Sequence, residues 1–320
     1  MTPATMRAVR LHGPRDLCVE SLPVPEPGAG ELLVRVEACG VCPTDVRKFD
    51  AGTTDGAYPL NPGHEWVGRV EAVGGAAPSW EPGARVCGDT YAGYAEYALL
   101  PVEAGDWSYG ALEIPADLPT ERAVFVEPLA DCLHAVHDQG RARAGDRVVV
   151  LGAGQMGLQI VLVAASAGAR VLAVDPIPER RELALALGAE EAADPARWER
   201  SGERAEVVIT TVGDPSLVGQ AVAAAGPGGR VVLFAGFGAS GEAVVDLNRL
   251  HYGEITLVGS EWIGSPPNQR RERYEEALAL LVSGAAPLER LVTARCGLDG
   301  VEEAFEAVRD HRTLKTLVIP

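Results

Sequence analysis

Three short segments of the chain carry side chains that commonly bind metal ions. Cys42 stands in the first segment, His64 and Glu65 stand together in the second, and Glu127 stands in the third. Thiolate, imidazole and carboxylate form a mixed ligand set that zinc accepts in an open catalytic site. Taken singly, each residue has a simpler interpretation: a small buried thiol, a core histidine or a surface charge. Cys39 and Cys42 could also form a redox pair, but no thioredoxin-like pattern follows them.

A glycine-rich segment predicts a dinucleotide site. The run Val148–Gly157 reads as a strand, a G-x-G-x-x-G turn and the start of a helix. The N–H groups of such a helix start bind a pyrophosphate, and the glycines allow close approach. Asp175 ends the next strand, where a carboxylate binds the ribose hydroxyls and repels a 2′-phosphate. This pattern predicts NAD, while Arg180 and Arg181 close behind keep NADP as an alternative. The predicted cofactor contacts are Gly152, Gly154, Gln155, Met156, Gly157, Asp175, Arg180 and Gly213.

Two different sequence patterns predict the strands and helices that position these residues. In residues 1–127, short apolar runs separated by Gly/Pro turns are typical of a β-rich domain. In residues 128–262, strand-like and helical runs alternate, which predicts a parallel sheet with helices on both faces. Residues 263–320 read as two helices and a final strand. The sequence therefore predicts an α/β protein with two domains.

Composition and charge exclude several classes of protein. The chain has 320 residues and a net charge of −17 with no basic stripe, so nucleic acid and anionic membranes are poor partners. The first ten residues lack the apolar core of a signal peptide. The uncharged stretch Val148–Ala169 contains a glycine turn and reads as a buried strand and helix, not a membrane span. Six cysteines without an export signal argue against a disulfide framework. We expect a cytoplasmic protein.

Together these segments resemble the zinc-containing medium-chain dehydrogenase family, and the match runs along nearly the whole chain. The segments that carry the resemblance are Gly40-Val-Cys-Pro-Thr-Asp45, Gly63-His-Glu-Trp-Val-Gly-Arg-Val-Glu-Ala-Val-Gly74, Gly93-Tyr-Ala-Glu-Tyr97, Val126-Glu-Pro-Leu129, the glycine turn, Gly228-Gly-Arg-Val-Val-Leu233 and Leu250-His-Tyr-Gly-Glu-Ile-Thr-Leu-Val-Gly-Ser260. The resemblance implies a GroES-like catalytic domain that the C-terminal segment rejoins, an inserted Rossmann domain, and a cleft holding zinc and nicotinamide. Glu-Pro-Leu at the third ligand and the His-Tyr-Gly-Glu-Ile segment look like the sorbitol and polyol dehydrogenase branch.

The resemblance also implies roles for single residues. Cys42 and His64 would be direct zinc ligands, Glu65 a ligand or exchangeable neighbour, and Glu127 the third ligand, directly or through water. Asp45 would orient His64, and Thr44 would pass the substrate's proton towards the cofactor ribose; the catalytic set is therefore Thr44, Asp45 and Glu65. Zinc would lower the pKa of the bound alcohol, which then loses hydride to nicotinamide. The predicted reaction converts a secondary alcohol of polyol, sugar or cyclitol type to a ketone with NAD and one zinc per chain.

The sequence departs from the family pattern in three places. Pro43 replaces a common glycine, Arg47 replaces a common histidine of the proton relay, and no cysteine lies between residues 88 and 131, so the structural-zinc lobe is missing. Arg47 could instead contact a phosphate. Two alternative functions follow: a zinc-free NADPH-dependent quinone or enone reductase of the same superfamily, or a non-catalytic nucleotide-binding protein.

Two further features concern the substrate and the assembly. Trp66, Trp262 and Gly105–Tyr109 could line a pocket for a sugar or cyclitol, although solitary tryptophans are more often packing residues. The apolar strand Ile255–Gly259 near the end of the Rossmann domain would leave an open sheet edge, which is an association site if left bare. We therefore expect a homodimer or homotetramer.

Overall fold

The computed structural model describes residues 2–53, 56–75, 77, 79–102, 111–237, 241–261 and 266–320. Trp262 and Gly105–Tyr109 lie outside these residues. The chain divides into two compact units, one of residues 1–128 with 266–320 and one of residues 129–265. The sequence-based boundaries stand at 127/128 and 262/263.

The strands and helices follow one another in the order expected for a β-rich unit interrupted by an alternating α/β unit. The strands are β1 (Thr5–Gly13), β2 (Asp16–Pro23), β3 (Glu31–Gly40), β4 (Glu65–Val73), β5 (Arg85–Gly88), β6 (Tyr97–Pro101), β7 (Leu112–Glu113), β8 (Arg147–Leu151), β9 (Arg170–Val174), β10 (Glu191–Ala193), β11 (Ala205–Thr210), β12 (Ala225–Leu233), β13 (Thr256–Gly259), β14 (Val292–Cys296) and β15 (Lys315–Val318). The α-helices are α1 (Pro43–Ala51), α2 (Thr120–Ala123), α3 (Val126–Leu133), α4 (Gln155–Ser166), α5 (Pro178–Ala186), α6 (Pro195–Ser201), α7 (Ser216–Ala224), α8 (Leu247–Gly253), α9 (Pro267–Ser283) and α10 (Val301–Arg309). A π-helical turn covers His134–Gln139, and 3₁₀ turns cover Leu288–Leu291 and Leu298–Gly300.

The first unit is built on a seven-stranded sheet in the order β14-β15-β3-β4-β5-β7, with β6 also pairing with β3 and a separate β1-β2 hairpin. The C-terminal strand β15 runs antiparallel to β3, with Leu317 opposite Gly40 and Val318 opposite Cys39. The end of the chain therefore lies beside the segment that leads to Cys42. Trp66 is a core residue here: it is buried, and its indole N–H donates to the carbonyl of Thr90 at 2.8 Å.

The second unit is a six-stranded parallel sheet in the order β10-β9-β8-β11-β12-β13. Its central strand β8 carries consecutive buried valines, Val148–Val150, as expected for a strand covered on both faces. This strand order is that of a Rossmann domain. The fold class predicted from the sequence, a GroES-like β-rich domain with a Rossmann domain, is confirmed. The uncharged stretch Val148–Ala169 forms β8 and α4, and in the described part of the chain no helix has the length and hydropathy to cross a membrane.

Candidate functional site

Cys42 lies at the point where β3 gives way to α1. It is the N-cap residue of α1, with extended backbone angles (φ −102°, ψ 141°), and its side chain does not cap the helix. Pro43 occupies the first helical position, where its fixed φ suits the helix and its missing N–H is not needed. This substitution of the family's glycine therefore has a local structural reason, because it starts α1 immediately after Cys42.

His64 and Glu65 approach Cys42 from the start of the neighbouring strand. Glu65 is the first residue of β4 and lies opposite Gly40 in the β3–β4 register. The ligand atoms of Cys42, His64 and Glu65 all lie within 4.8 Å of one another. We call these three residues the metal cluster. One sulfur, one nitrogen and one oxygen donor converge there, as the sequence predicts.

Asp45 lies directly behind the cluster. Its Oδ1 is 3.5 Å from Nδ1 of His64, at the outer limit of a hydrogen bond. The backbone N–H of Gly63 (3.2 Å) and the hydroxyl of Tyr94 (2.9 Å) donate to the same carboxylate. Asp45 is buried and held from two sides, so it is placed to orient the imidazole. Thr44 precedes it in the first turn of α1 and is partly buried.

The charges in the cluster test whether a zinc ion fits it. Burial and the charge of Glu65 raise the pKa of the Cys42 thiol. Burial lowers the pKa of His64, but the charges of Asp45 and Cys42 outweigh it and raise this pKa well above its ordinary value. A partly buried thiol with a raised pKa needs a cation beside it to become a thiolate near neutral pH. A zinc ion supplies that cation, so the donor set fits the metal.

Lys315, the first residue of β15, was missed in the sequence. Its ammonium forms an ion pair with Oε2 of Glu65, and both side chains are buried. The two residues are far apart in the chain and no local pattern links them. The sheet brings them together, because β15 and β4 both pair with β3. Glu65 therefore faces the metal cluster and a buried cation at once.

Glu127 lies outside the metal cluster. It is the second residue of α3, and its neighbours include the buried side chains of Cys87 and Tyr274. Burial raises the pKa of Cys87 to about 12, with a smaller contribution from the charge of Glu127. Burial likewise raises the pKa of Tyr274, and the charges of Asp89 and Glu127 add to this. A direct or water-mediated contact between Glu127 and zinc stays a prediction.

A second buried carboxylate near the cluster was also missed. Asp89, just after β5, accepts hydrogen bonds from the guanidinium of Arg270 (2.6 Å) and the hydroxyl of Tyr274 (3.0 Å) on α9. Burial raises the pKa of Asp89 to about 6, although Arg270, Tyr274 and the charge of His64 act in the opposite direction. The acidic residue and its partners come from segments that are remote in sequence, so only the folded chain reveals them.

A cavity of about 320 Å³ lies beside the metal cluster. The ring of Tyr91 connects the two, since its centroid is 5.1 Å from that of His64. The ammonium of Lys48 lies over the same ring, 3.5 Å from its centroid. The lining residues are Arg47, Lys48, Gly52, Thr53, Ala57, Leu60 and Tyr91.

In the second unit, the glycine turn leads from β8 into α4. Gly154 is the N-cap of α4, no side chain caps the helix there, and the space that a Cβ at Gly154 would enter is open. A Cβ at Gly157 would instead collide with the carbonyl of Gly152. The turn is closely packed at Gly157 and open at Gly154, which leaves room for a pyrophosphate at the start of the helix. Gln155 and Met156 lie in the same first helical turn.

Asp175 follows the last residue of β9 and is buried. Its Oδ2 accepts from the N–H of Ala153 and its Oδ1 from the N–H of Ile177, both at 2.8 Å. The Arg180 guanidinium is 3.9 Å from Oδ2, whereas Arg181 donates to the backbone carbonyl of Asp175. The carboxylate is thus fixed against the glycine turn. Gly213, after β11, packs against the backbone of Gly236, which leaves no room for a side chain.

The chain is similar to zinc-type dehydrogenases in both units. The family model of the alcohol dehydrogenase GroES-like domain matches residues 28–109, and that of the zinc-binding dehydrogenase matches residues 147–283. The sorbitol dehydrogenase of Bombyx mori is 28% identical, over 97% of this chain and 97% of its own length. The (R,R)-butanediol dehydrogenase of Bacillus subtilis is 27% identical, over 98% of this chain and all of its own length.

A solved structure extends this similarity to the three-dimensional level. A protein from Sinorhizobium meliloti 1021, described as a zinc-binding dehydrogenase and bound to NADP, is 30% identical. The two structures superpose with a TM-score of 0.89 over 99% of this chain and 100% of the other. The resemblance found in the sequence, including the likeness to sorbitol dehydrogenases, is confirmed.

Proposed function

The chain belongs to the zinc-type medium-chain dehydrogenase family, and we propose that it interconverts a secondary alcohol of polyol, sugar or cyclitol type and the corresponding ketone with NAD. The coarser statement, an alcohol dehydrogenase-type oxidoreductase that uses zinc and a nicotinamide cofactor, follows from the family. The observation that supports the proposed zinc chemistry is the convergence of Cys42, His64 and Glu65, of which Glu65 is buried and the other two are partly buried. The alternative of a zinc-free reductase would leave this donor set without a role.

The proposed reaction assigns a separate role to each of several residues of the first unit. When bound, zinc supplies a Lewis acid that lowers the pKa of an alcohol, and nicotinamide accepts hydride. Cys42, His64 and Glu65 would hold the metal, and Asp45 keeps the imidazole of His64 in place. Thr44, one residue before Asp45, is our candidate to accept the substrate's proton and pass it towards the cofactor ribose. Glu65 is buried and Cys42 and His64 are only partly exposed, which limits the access of bulk water to these steps.

The preference for NAD rests on Asp175. Both carboxylate oxygens are fixed by backbone N–H groups, so the charge has little freedom to move away from a 2′-phosphate. Two like charges at close range in a partly buried site cost on the order of a few kcal/mol. The Sinorhizobium protein was crystallised with NADP, so the cofactor of this chain has to be measured directly.

The test is a panel of polyols, sugars, cyclitols and simple alcohols, followed by reduced-nicotinamide absorbance with NAD and with NADP. Cys42→Ser and His64→Ala should lose turnover by roughly a thousandfold or more, since each removes a metal ligand. Cys296→Ser, a half-buried thiol of β14, is the matched control and should keep it. Zinc content should fall in the first two variants, while NAD binding stays within about twofold, because the glycine turn lies in the other unit. Wild-type turnover in either ligand variant would contradict the zinc mechanism.

A further inference from the structure

The cavity beside the metal cluster has the size of a metabolite site. Its volume of about 320 Å³ lies at the lower end of the range for small-molecule pockets, about 300–1,000 Å³. Tyr91 forms the wall shared with His64, so a ligand in the cavity lies next to the metal cluster. The cavity is therefore where a substrate would extend from the reacting carbon.

The cavity is cationic in a strongly acidic protein. The chain has 45 acidic and 28 basic residues, and only two of the basic ones are lysines, Lys48 in the cavity and Lys315 behind Glu65. Among the described residues, no carboxylate forms an ion pair with Arg47 or Lys48. Of the two acidic residues of α1, Asp50 is bound by Arg15 (3.0 Å) and Arg309 (2.8 Å), and Asp45 accepts from Gly63 and Tyr94.

The two cations are not simply solvated ends of flexible side chains. Lys48 is partly buried, and its ammonium is held over the Tyr91 ring, a cation–π contact that fixes its position. Arg47 is more exposed, but it projects into the same cavity. A guanidinium offers five N–H donors and no acceptor, which suits Arg47 to binding an anion.

A third group in the cavity wall is the side-chain hydroxyl of Thr53. The hydroxyl oxygen of Thr53 is buried and makes no hydrogen bond among the described residues. Its backbone N–H, in contrast, donates to the Tyr58 hydroxyl at 3.1 Å. A buried polar atom without a partner is costly, and a ligand oxygen in the cavity would satisfy it.

The spacing along α1 sets the length of the ligand. Cys42 occupies the N-cap position of α1, and Lys48 follows it by six residues, which is roughly 9 Å along the helix axis. A substrate whose reacting hydroxyl lies at the metal cluster therefore reaches the two cations with a group several carbons away. A neutral polyol would leave Arg47 and Lys48 without a counter-charge.

We propose that the substrate is an anionic polyol, with a phosphate monoester or carboxylate that binds Arg47 and Lys48 in this cavity. This rests on the alcohol-oxidising function proposed above and narrows its substrate class. A phosphate monoester and a carboxylate both present a terminal oxyanion to the two cations. To distinguish phosphate from carboxylate, a hexitol 6-phosphate and a hexonate are each compared with the neutral hexitol.

The kinetic test is the ratio of kcat/KM for each anionic compound to kcat/KM for the neutral hexitol. Charge-assisted hydrogen bonds predict that Lys48→Gln and Arg47→Gln each lower the ratio roughly 10- to 100-fold. Lys48→Arg should restore most of it. Arg35→Gln, an exposed arginine of β3 outside the cavity, is the matched control and should leave the ratio unchanged. A ratio near one in the wild type overturns the proposal. It is also overturned if the Arg47 and Lys48 variants lose kcat/KM equally on all substrates and have a raised KM for NAD, because the two cations would then bind the cofactor.

A second test does not depend on turnover. Lys315 is buried, so reductive methylation of the zinc-loaded protein should modify Lys48 as the accessible lysine, as read by peptide mass spectrometry. A hexitol 6-phosphate should protect Lys48 at least about tenfold better than the hexitol. Protection without turnover on any alcohol keeps the anion site and rejects the proposed function. Turnover of neutral polyols with no protection by either anion keeps the function and rejects the anion site.

Discussion

Lys315 and Glu65 form a buried ion pair although 250 residues separate them in the chain. The exposed fraction of the side chain is 0% for Lys315 and 2% for Glu65, so neither charge is solvated. Taking two charges out of water is costly, and such a pair is stable only while each partner keeps the other. The pair therefore couples the C-terminal strand to the residue that stands in the metal cluster.

Lys315→Met should destabilise the zinc-free protein by about 3–5 kcal/mol, because Glu65 loses its buried counter-charge. Zinc would provide a new counter-charge, so the metal should stabilise this variant more than it stabilises the wild type. Urea unfolding with and without zinc measures both effects. Lys48→Met, at a partly buried position, is the matched control and should cost under about 1 kcal/mol. If Lys315→Met and Lys48→Met lowered the free energy of unfolding equally, the buried ion pair would make no greater contribution to stability than a partly buried lysine.

The fold was predictable because hydrophobic patterns are local. The valine run before the glycine turn and the alternation that follows specify the Rossmann unit, and the comparisons confirm it. Elements with weak patterns give no such local signal. β2 has no fully buried residue, and α1 begins with a proline directly after Cys42, where the sequence reads as a loop. Such segments take their structure from neighbouring strands and caps.

The metal cluster was predictable from residue types, but the groups around it were not. Cys42 and the pair His64–Glu65 stand in recognisable motifs, whereas Lys315 and Asp89 stand in none. A lone lysine near a C-terminus reads as a solvated charge, and only the pairing of β15 with β3 shows that it is buried.

Asp89 should make stability depend on pH between about 4 and 6. Burial raises its pKa from the ordinary 3.8 to about 6, so the protonated form is favoured in the folded protein. The stabilisation that this raised pKa gives to the folded protein is fully present below about pH 4 and is lost as the pH rises through about 6. The unfolding free energy of the wild type relative to Asp89→Asn should therefore fall by roughly 2–3 kcal/mol from pH 4 to pH 7.

The measurement is urea unfolding of both proteins across that range. Asp16→Asn, at an exposed carboxylate of β2, is the control and should give a difference that is flat with pH. A flat difference for Asp89→Asn as well would mean that Arg270 and Tyr274 keep Asp89 ionised throughout.

Asp175→Asn should raise the ratio of kcat/KM for NADP to that for NAD by roughly 10- to 100-fold, because it removes the charge that opposes a 2′-phosphate. It also removes one acceptor for the N–H groups of Ala153 and Ile177, so some stability should be lost. Asp194→Ala, at the N-cap of α6 in the same unit, removes the acceptor for the backbone N–H of Arg197 and so tests the loss of an acceptor alone. It should change stability but not the cofactor ratio. Equal efficiency with both cofactors in the wild type would show that Arg180 overrides Asp175.

The protein should form a dimer or tetramer through the β13 edge of the parallel sheet. β13 pairs with β12 on one side only among the described residues, and Leu257 is exposed there. Tyr252, on the preceding helix α8, is also largely exposed. Leu257→Lys should weaken association by at least tenfold, because a charge on an edge strand opposes pairing. Sedimentation velocity at micromolar concentration measures this, with Val282→Lys on α9 as the control. A monomeric wild type would contradict the prediction.

The last prediction is one tightly held zinc per chain. A structural zinc site of this family needs four clustered thiolates, and closed sites rarely form with fewer than four protein ligands. Of the six cysteines, Cys39, Cys87 and Cys132 are buried, and none of the six forms a disulfide. Burial raises the pKa of Cys87 to about 12, which opposes the thiolate that a metal requires.

Among the described residues, one further group could hold a metal ion: His12, Cys18 and Glu20 on the β1-β2 hairpin. This group offers only three ligands, and all three are partly exposed to solvent. Glu20 already accepts a hydrogen bond from His12 at 2.6 Å. Zinc bound there should therefore be lost on desalting. Elemental analysis of desalted protein should give about one equivalent, abolished by Cys42→Ser and unchanged by Cys18→Ser. Two retained equivalents, one lost in Cys18→Ser, would assign the second ion to the hairpin. No zinc in active enzyme would move the chain to the zinc-free reductases, because the metal cluster would then be idle during turnover.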